Sequence, residues 1–182
     1  MIATENLPFS FADSGPLTGV EQPPVKPGTP DRKGQLTTWT AVHEFIFAGN
    51  ARFTLRSLKT GMRYTYRINV NKKDLKDPAK KDDPAYFVSL LRGADNERDY
   101  KYIGCMHGTK FFITSASRLP RTSPSVQGLL WFLDAMSNTR NVLGKTLEFW
   151  HDGRCACCGR VLTVPESVAS GWGPECAKRR AG

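Results

Sequence analysis

The sequence predicts an α+β fold in which an antiparallel sheet of about five short strands is packed by one or two helices. Segments with period-two alternation, joined by tight turns, predict the sheet. A later segment with apolar residues at helical spacing predicts a helix that covers one face of it. A third observation, that four of the five cysteines lie within residues 150–180, predicts a small module at the C-terminus.

Composition divides the chain into three parts. Residues 1–38 are rich in proline and have few large apolar side chains after Phe11, so they are predicted to be a flexible N-terminal arm. The alternative is a tail that folds on a partner, with Phe9 and Phe11 as its anchors. Residues 39–149 form the predicted α+β domain, and residues 150–182 form the cysteine-rich module.

The α+β domain is predicted to begin with a short helix over about residues 38–48. Trp39, Val42 and Phe45 recur there at helical spacing, and Gly49 is a suitable C-terminal stop.

A β-hairpin is predicted next, because ARFTLRSL and RYTYRINV alternate in period two around the turn KTGM. One face of this hairpin is apolar and consists of Phe53, Leu55, Tyr64, Tyr66, Ile68 and Val70. The other face is polar and consists of Arg52, Thr54, Arg56, Arg63, Thr65 and Arg67. We therefore expect the hairpin to bury its aromatic face and to present four arginines outward.

The remaining elements follow in the same way. Three more strands are predicted at residues 86–92, 100–106 and 110–115. Ser123 as N-cap and Pro124 at the first helical position predict a helix of about 14 residues. Its apolar stripe consists of Val126, Leu129, Leu130, Leu133 and Met136. A last strand, at residues 145–150, leads into the cysteines.

Charge limits the kinds of partner. The net charge is +9, and residues 39–112 contain fourteen basic and eight acidic side chains, so most of the excess lies there. Such a protein attracts polyanions, nucleic acid above all, although many basic proteins are merely soluble. No apolar run approaches the roughly 20 residues that cross a bilayer, and the N-terminus lacks a secretory pattern, so a cytoplasmic location is expected.

The spacing of the cysteines predicts a metal site. Cys155 and Cys158 have the spacing with which two thiolates bind one zinc ion from a tight turn. Gly159 follows, where a left-handed backbone is expected, and Cys176 is expected at the start of the terminal CAKRR turn. The prediction is a treble-clef or ribbon-like module that holds one structural Zn²⁺.

A short helix is predicted between these cysteines. Thr163 and Glu166 have the spacing of a capping box, and Pro165 suits the first helical turn. Gly171 is predicted to end this helix.

The fourth ligand is predicted to be His151, with Cys157 as the alternative. Cys157 is adjacent to Cys158, and neighbouring residues on a tight turn point to different sides. A tetrahedron closed by protein ligands leaves no position for water, so the site should be structural. Disulfides would need an oxidising compartment, and a catalytic thiol would need a base and an open site.

Cys105 and His107, in GCMHG, form a second and weaker metal pattern. A buried thiol beside a surface histidine is the simpler interpretation of these two residues. Asp95, Glu97 and Asp99 could together bind a cation, but a polar hairpin tip explains them equally well.

The C-terminal string resembles a zinc module of uncharacterised function that recurs in proteins of phages, plasmids and other mobile elements. The matching positions are His151, Cys155, Cys158, Gly159, Arg160, Leu162, Thr163, Pro165, Glu166, Ser167, Gly171, Gly173, Pro174 and Cys176. The segments FTLRSLKTGMRYTYRI and YFVSLLRGADNERDYKYIG are similar to the companion region upstream of that module, so the resemblance spans about residues 45–180. It implies a zinc-bound accessory module and supplies no established activity.

Nucleic-acid binding without enzymatic activity is the function that these observations favour. Phosphates would be bound with little sequence specificity, in single or double strands. The predicted phosphate-binding residues are Arg52, Arg56, Arg63, Arg67, Lys72, Lys73, Arg92, Lys178, Arg179 and Arg180. Tyr100 and Tyr102 would stack on bases if they are exposed.

Two other function classes remain as hypotheses. One is a protein-binding inhibitor of a host defence or transcription complex, similar to an anti-CRISPR protein, with the N-terminal arm ordering on its partner. The other is an enzyme, but the sequence has no phosphate loop, no paired carboxylates at a recognisable spacing and no nucleophile with an evident base.

Overall fold

We analysed a computed structural model, which describes residues 34–181. These residues form one seven-stranded antiparallel sheet with the strand order β1-β7-β2-β3-β4-β5-β6. The strands are β1 (Gly34–Leu36), β2 (Asn50–Ser57), β3 (Arg63–Val70), β4 (Tyr86–Leu91), β5 (Tyr100–His107), β6 (Lys110–Phe112) and β7 (Leu147–His151). The helices are α1 (Trp39–Ile46), α2 (Pro124–Ser137), α3 (Pro165–Ser170) and α4 (Pro174–Ala181), with a 3₁₀ turn at Asp74–Lys76.

The sheet has seven strands where the sequence predicted about five. Strand β1 lies inside the segment that was assigned to the flexible arm, and it pairs Gly34 with His151 at the sheet edge. Leu36 of this strand is buried in the main core. Three residues are too few to show alternation, so this strand depends on its neighbour β7. The rest of the predicted arm lies outside the described residues.

The predicted hairpin is confirmed, with β3 at its predicted bounds and β2 one residue earlier than predicted. Arg56 lies opposite Arg63, and Arg52 lies opposite Arg67. On the other side of the sheet, Phe53 lies opposite Tyr66, and both are fully buried. The buried side is called the inner face below, and the side with the arginines is called the outer face.

Helices α1 and α2 cover the inner face. Helix α1 begins at the predicted cap, where the Thr38 hydroxyl accepts a hydrogen bond from the backbone N–H of Ala41 at 3.3 Å. In α2, Pro124 occupies the first turn as predicted, and the helix has 14 residues. The buried stripe is rotated from the predicted one, because Phe132 is fully buried and Leu130 is only partly buried.

Aromatic packing fixes the sheet against α2. Phe53 of β2 stacks on Phe149 of β7 with ring centroids 4.7 Å apart, and Phe132 contacts both rings. The buried Tyr66 hydroxyl donates to the carbonyl oxygen of Ser125 at 2.6 Å, which ties the centre of the sheet to the start of the helix. Within residues 34–181, every helix is too short or too polar to span a bilayer.

Candidate metal centre

A tight turn after β7 presents the first two cysteines. The backbone N–H of Cys155 donates to the carbonyl oxygen of Arg160 at 2.9 Å, and the N–H of Gly159 donates to that of Cys155 at 2.9 Å. Gly159 has φ +76°, in the left-handed region, as the sequence predicted. The backbone N–H of Leu162 donates to the carbonyl oxygen of Gly153 at 2.8 Å and so closes the small hairpin.

The chain then returns through two short helices. The predicted capping box is wrong, since α3 begins after an extended Val164 whose side chain has no capping oxygen. Its predicted end is confirmed, because Gly171 has φ +77°. Pro174 then begins α4, so Cys176 lies in the first turn of a helix.

Three of the cysteine thiols lie close together. The Sγ atoms of Cys155, Cys158 and Cys176 all lie within 4.8 Å of one another. Ligands at tetrahedral angles and 2.3 Å from a zinc ion are about 3.8 Å apart, so a contraction of about 1 Å or less would fit these thiols to the ion. Cys155 and Cys176 are buried, and Cys158 is exposed. This cluster of cysteines could therefore hold a metal ion.

The electrostatics of the cluster also suit a cation. Burial acts to raise the pKa of the Cys155 thiol, but hydrogen bonds from the backbone of Cys158, Gly173 and Cys157 outweigh it and the net pKa is lowered. Burial and the neighbouring thiols raise the pKa of Cys176 to about 12. Thiolates packed this closely repel one another, and a divalent ion among them would remove that repulsion.

Cys157 lies next to Cys158 in the turn and is exposed. Its thiol contributes to raising the pKa of Cys176, but its Sγ is not among the sulfurs that all lie within 4.8 Å of one another.

His151 is not placed with the thiols, which corrects the predicted ligand set. Its ring is fully buried and stacks on Phe45, with centroids 5.2 Å apart. Its Nε2 lies 2.7 Å from the carbonyl oxygen of Val168, and its Nδ1 accepts from the backbone N–H of Gly153 at 3.1 Å. Both ring nitrogens are therefore engaged with the backbone. Burial lowers the pKa of His151, so the ring is neutral at pH 7.

The cysteine segment is part of the same folded body as the sheet. Asn50, at the start of β2, donates its backbone N–H to the carbonyl oxygen of Ala156 at 2.7 Å, and Ala156 is buried in the main core. The predicted domain boundary at residue 150 falls inside β7, whose last residue is His151.

Charged groups join the turn to the outer face. Glu97, in the β4–β5 loop, accepts from Arg52 at 2.8 Å and from Arg154 at 2.6 Å. Asp152 lies 4.0 Å from Arg52 and 3.8 Å from Arg154. Local sequence patterns do not reveal this cluster, because its four members come from three separate segments. The acidic loop GADNERD was the one signal for it.

The four hairpin arginines differ in availability. Arg52 is held between carboxylates, and its side chain is only 15 % exposed. Arg67 lies over the ring of Tyr100, 4.4 Å from its centroid. Arg56 is 52 % exposed and pairs with Glu148 at 3.3 Å.

Arg63 is the most open of the four. It is exposed, and among residues 34–181 no carboxylate lies within ion-pair distance of it. The arginines of the hairpin that are most exposed to solvent are therefore Arg56 and Arg63, which lie opposite each other at the end of the hairpin next to its turn.

The other predicted cations lie outside the hairpin. Lys72 and Lys73 are exposed beyond the far end of β3, and Arg92 is exposed at the base of the β4–β5 loop. In α4, Arg180 pairs with Glu44 of α1.

Helix α1 packs on the inner face, so the cations of α4 lie on the opposite side of the sheet from the arginines. Lys178 pairs with Glu175 at 3.8 Å. Arg179 donates to the carbonyl oxygen of Glu175 at 3.3 Å.

The second cysteine pattern is separate from the cluster. Cys105 is half-buried on β5, and His107 lies 3.7 Å from Asp83. In the described part of the chain, neither residue belongs to a group of ligands at metal-binding spacing.

Comparison with known proteins gives one match. Residues 146–181 match a family described as "Family of unknown function (DUF6011)". The match contains every residue of the cysteine cluster and little of the sheet. No curated protein and no solved structure matches this chain.

Proposed function

We propose that this protein is a non-enzymatic nucleic-acid-binding accessory protein whose C-terminal segment is held by one structural Zn²⁺. The observation that carries the proposal is the outer face, where Arg63 and Arg67 have no carboxylate partner among residues 34–181. Uncompensated cations on an open sheet bind phosphates through charge, with little sequence specificity. The phosphate-binding residues are Arg56, Arg63 and Arg67, with Lys72, Lys73 and Arg92 at the borders of the face.

The zinc ligands in this proposal are Cys155, Cys158, Cys176 and Cys157. Cys157 replaces His151 because its thiol is close enough to Cys176 to raise the pKa of that residue, whereas both imidazole nitrogens are bound to the backbone. Four thiolates fill a tetrahedron, and such a site stabilises the fold. Apart from the thiols, residues 152–181 have a small apolar cluster of their own and a few contacts to the sheet through Ala156 and Val168, so the metal would contribute much of their stability.

The proposed setting follows the resemblance of the C-terminal string. We propose a phage or mobile-element protein that acts in the cytoplasm, where reduced thiols remain available to zinc. Arg154 belongs to the cysteine turn and pairs with Glu97, which also pairs with Arg52 of the outer face. Nucleic acid bound to the outer face would therefore lie close to the cysteine turn.

Fluorescence anisotropy with labelled oligonucleotides at two salt concentrations tests the binding proposal. The double variant Arg56→Glu with Arg63→Glu should lose at least ten-fold in affinity, and the slope of log K against log salt should fall by about 1.5. Lys80→Glu with Lys81→Glu is the matched charge control on an exposed loop, and it should bind nearly as the wild type does. Undetectable binding at low salt, or full affinity in the arginine variant, overturns the proposal.

Metal analysis tests the ligand set. The purified protein should contain one zinc per chain, and Cys157→Ser should weaken its retention against a competing chelator. Cys105→Ser is the matched control, because Cys105 lies on β5, outside the cluster. If Cys157→Ser keeps one tightly held zinc, the fourth ligand is another group.

A nuclease-treated pull-down from host lysate tests the protein-binding alternative. Recovery of one stoichiometric protein, together with no affinity for oligonucleotides, would favour that function over nucleic-acid binding.

A further inference from the structure

Two large aromatic side chains on the outer face are unusually open to water. Phe87 of β4 is 42 % exposed, and Phe112 of β6 is 47 % exposed. The register places both opposite Cys105 of β5, one on each side. Their backbones are therefore two strands apart, about 10 Å, with only a small side chain between them.

A third ring extends this row toward the arginines. The ring of Tyr102 lies 6.3 Å from that of Phe87, at an interplanar angle of 65°. Its hydroxyl accepts a hydrogen bond from Thr114 at 3.3 Å, which fixes the ring. Ser89 of β4 lies opposite Tyr102 of β5 on one side and opposite Arg67 of β3 on the other. Tyr102 and Arg67 are therefore in register across the sheet. We call Phe87, Tyr102 and Phe112 the aromatic row.

Three lysines lie beside the aromatic row. Lys110 lies two residues before Phe112 on β6 and so projects from the same face. Lys72 and Lys73 follow the end of β3 that lies nearest Phe87. Among residues 34–181 no carboxylate lies within ion-pair distance of these three lysines. The row is thus an apolar surface with these three lysines beside it, and a nearby carboxylate, Asp83, pairs with His107 next to the ring of Phe112.

We propose that the aromatic row binds the unpaired bases of a single-stranded nucleic acid. Bases stack on exposed aromatic rings, while lysine and arginine side chains around them hold the phosphates. This inference rests on the proposed function and deepens it, because it names the strand that the outer face accepts. A duplex keeps its bases stacked inside, so it can use the cations but not Phe87 and Phe112.

The chemistry of the face favours this occupant over a protein. A protein-binding patch has an apolar centre depleted of charge, and its aromatic groups fill pockets on the partner. Here lysine and arginine side chains lie on the same face as the aromatic groups, with Arg67 in register with Tyr102 and Lys110 two residues before Phe112. Complementary charge for these cations is supplied by a phosphate backbone, and complementary stacking is supplied by bases.

Anisotropy titrations with matched single-stranded and hairpin-duplex oligonucleotides test the inference. Lengths of about 12 nucleotides fit the roughly 4–16 that one single-strand-binding fold covers. The wild type should bind the single strand more tightly than the duplex at equal salt. Separate oligo-dT and oligo-U arms distinguish DNA from RNA, since only RNA offers a 2′-hydroxyl.

The variant Phe87→Leu with Phe112→Leu isolates stacking from apolar contact. Leucine keeps most of the apolar area and both residues are exposed, so the fold should be retained, which circular dichroism verifies. Affinity for single strands should fall about ten-fold or more, whereas duplex affinity should change less than two-fold. Val161→Ala with Val164→Ala is the control at exposed apolar sites in the cysteine segment.

A second readout does not depend on any variant. An oligonucleotide containing 2-aminopurine should lose fluorescence when its base stacks on the row of the wild-type protein. Binding of both strand types with equal affinity, no quenching and no effect of the leucine variant would overturn the inference and leave the proposed function intact. Failure to bind either strand at low salt would instead refute the proposed function itself.

Discussion

Replacing His151 by alanine tests the role that the structure gives this residue, which is to hold backbone in place. The change would leave the carbonyl oxygen of Val168 and the N–H of Gly153 without their partner. Each buried group left unsatisfied costs about 1–3 kcal/mol, and loss of the stacked ring on Phe45 adds about 0.5–1.5 kcal/mol. We expect a decrease of about 2.5–7.5 kcal/mol in the free energy of unfolding.

Urea denaturation of the zinc-loaded protein, followed by circular dichroism, measures this change. Metal analysis of the same folded sample at low temperature should still find one zinc per chain in the variant. The wild type and Cys158→Ser are the two references, and the cysteine variant should lose the metal. A His151→Ala protein that is as stable as the wild type, or that has lost its zinc while folded, would refute this reasoning.

Gly34→Ala gives an independent test of the same contact. A Cβ at this position would clash with Nε2 of His151 and with the carbonyl oxygen of Val168. The variant should therefore destabilise the protein without removing any ligand. Equal stability of Gly34→Ala and the wild type would show that β1 does not lie against His151.

Three shorter predictions concern the hydrogen bond of Tyr66, the metal and the pKa of His151. Tyr66→Phe removes the side-chain donor to the carbonyl oxygen of Ser125, which keeps its hydrogen bond within α2, so urea denaturation should show a loss of about 0.5–1.5 kcal/mol. Chelation should unfold residues 152–181 and leave the sheet intact, which proteolysis and far-ultraviolet circular dichroism would detect together. The fold holds His151 neutral with a lowered pKa, so the stability it contributes is present above about pH 6.5 and is lost as pH falls. Denaturation from pH 7.5 to 5 should therefore show a steeper decline in the wild type than in His151→Ala.

The local pattern of the sequence predicted the elements that depend only on residues close together in the chain. The hairpin follows from strict alternation on both sides of a glycine turn, and the alternation also predicted which of its faces is buried. Helix α2 follows from a proline start and a helical apolar stripe. The meeting of Cys155, Cys158 and Cys176 was also predictable, because short-range spacing sets the turn and a glycine ends the helix between them.

Only the tertiary structure decided the long-range relations. Gly34–Leu36 shows no strand pattern and becomes a strand because β7 offers it an edge. His151 has the spacing of a zinc ligand, yet its place on β7 points it into the core, where the backbone takes both nitrogens. Glu97 meets Arg52 from a distant loop and neutralises a cation that the alternation alone had presented to solvent. Sequence spacing determines which groups are neighbours along the chain, whereas packing between distant segments determines which of them remain free to bind a ligand.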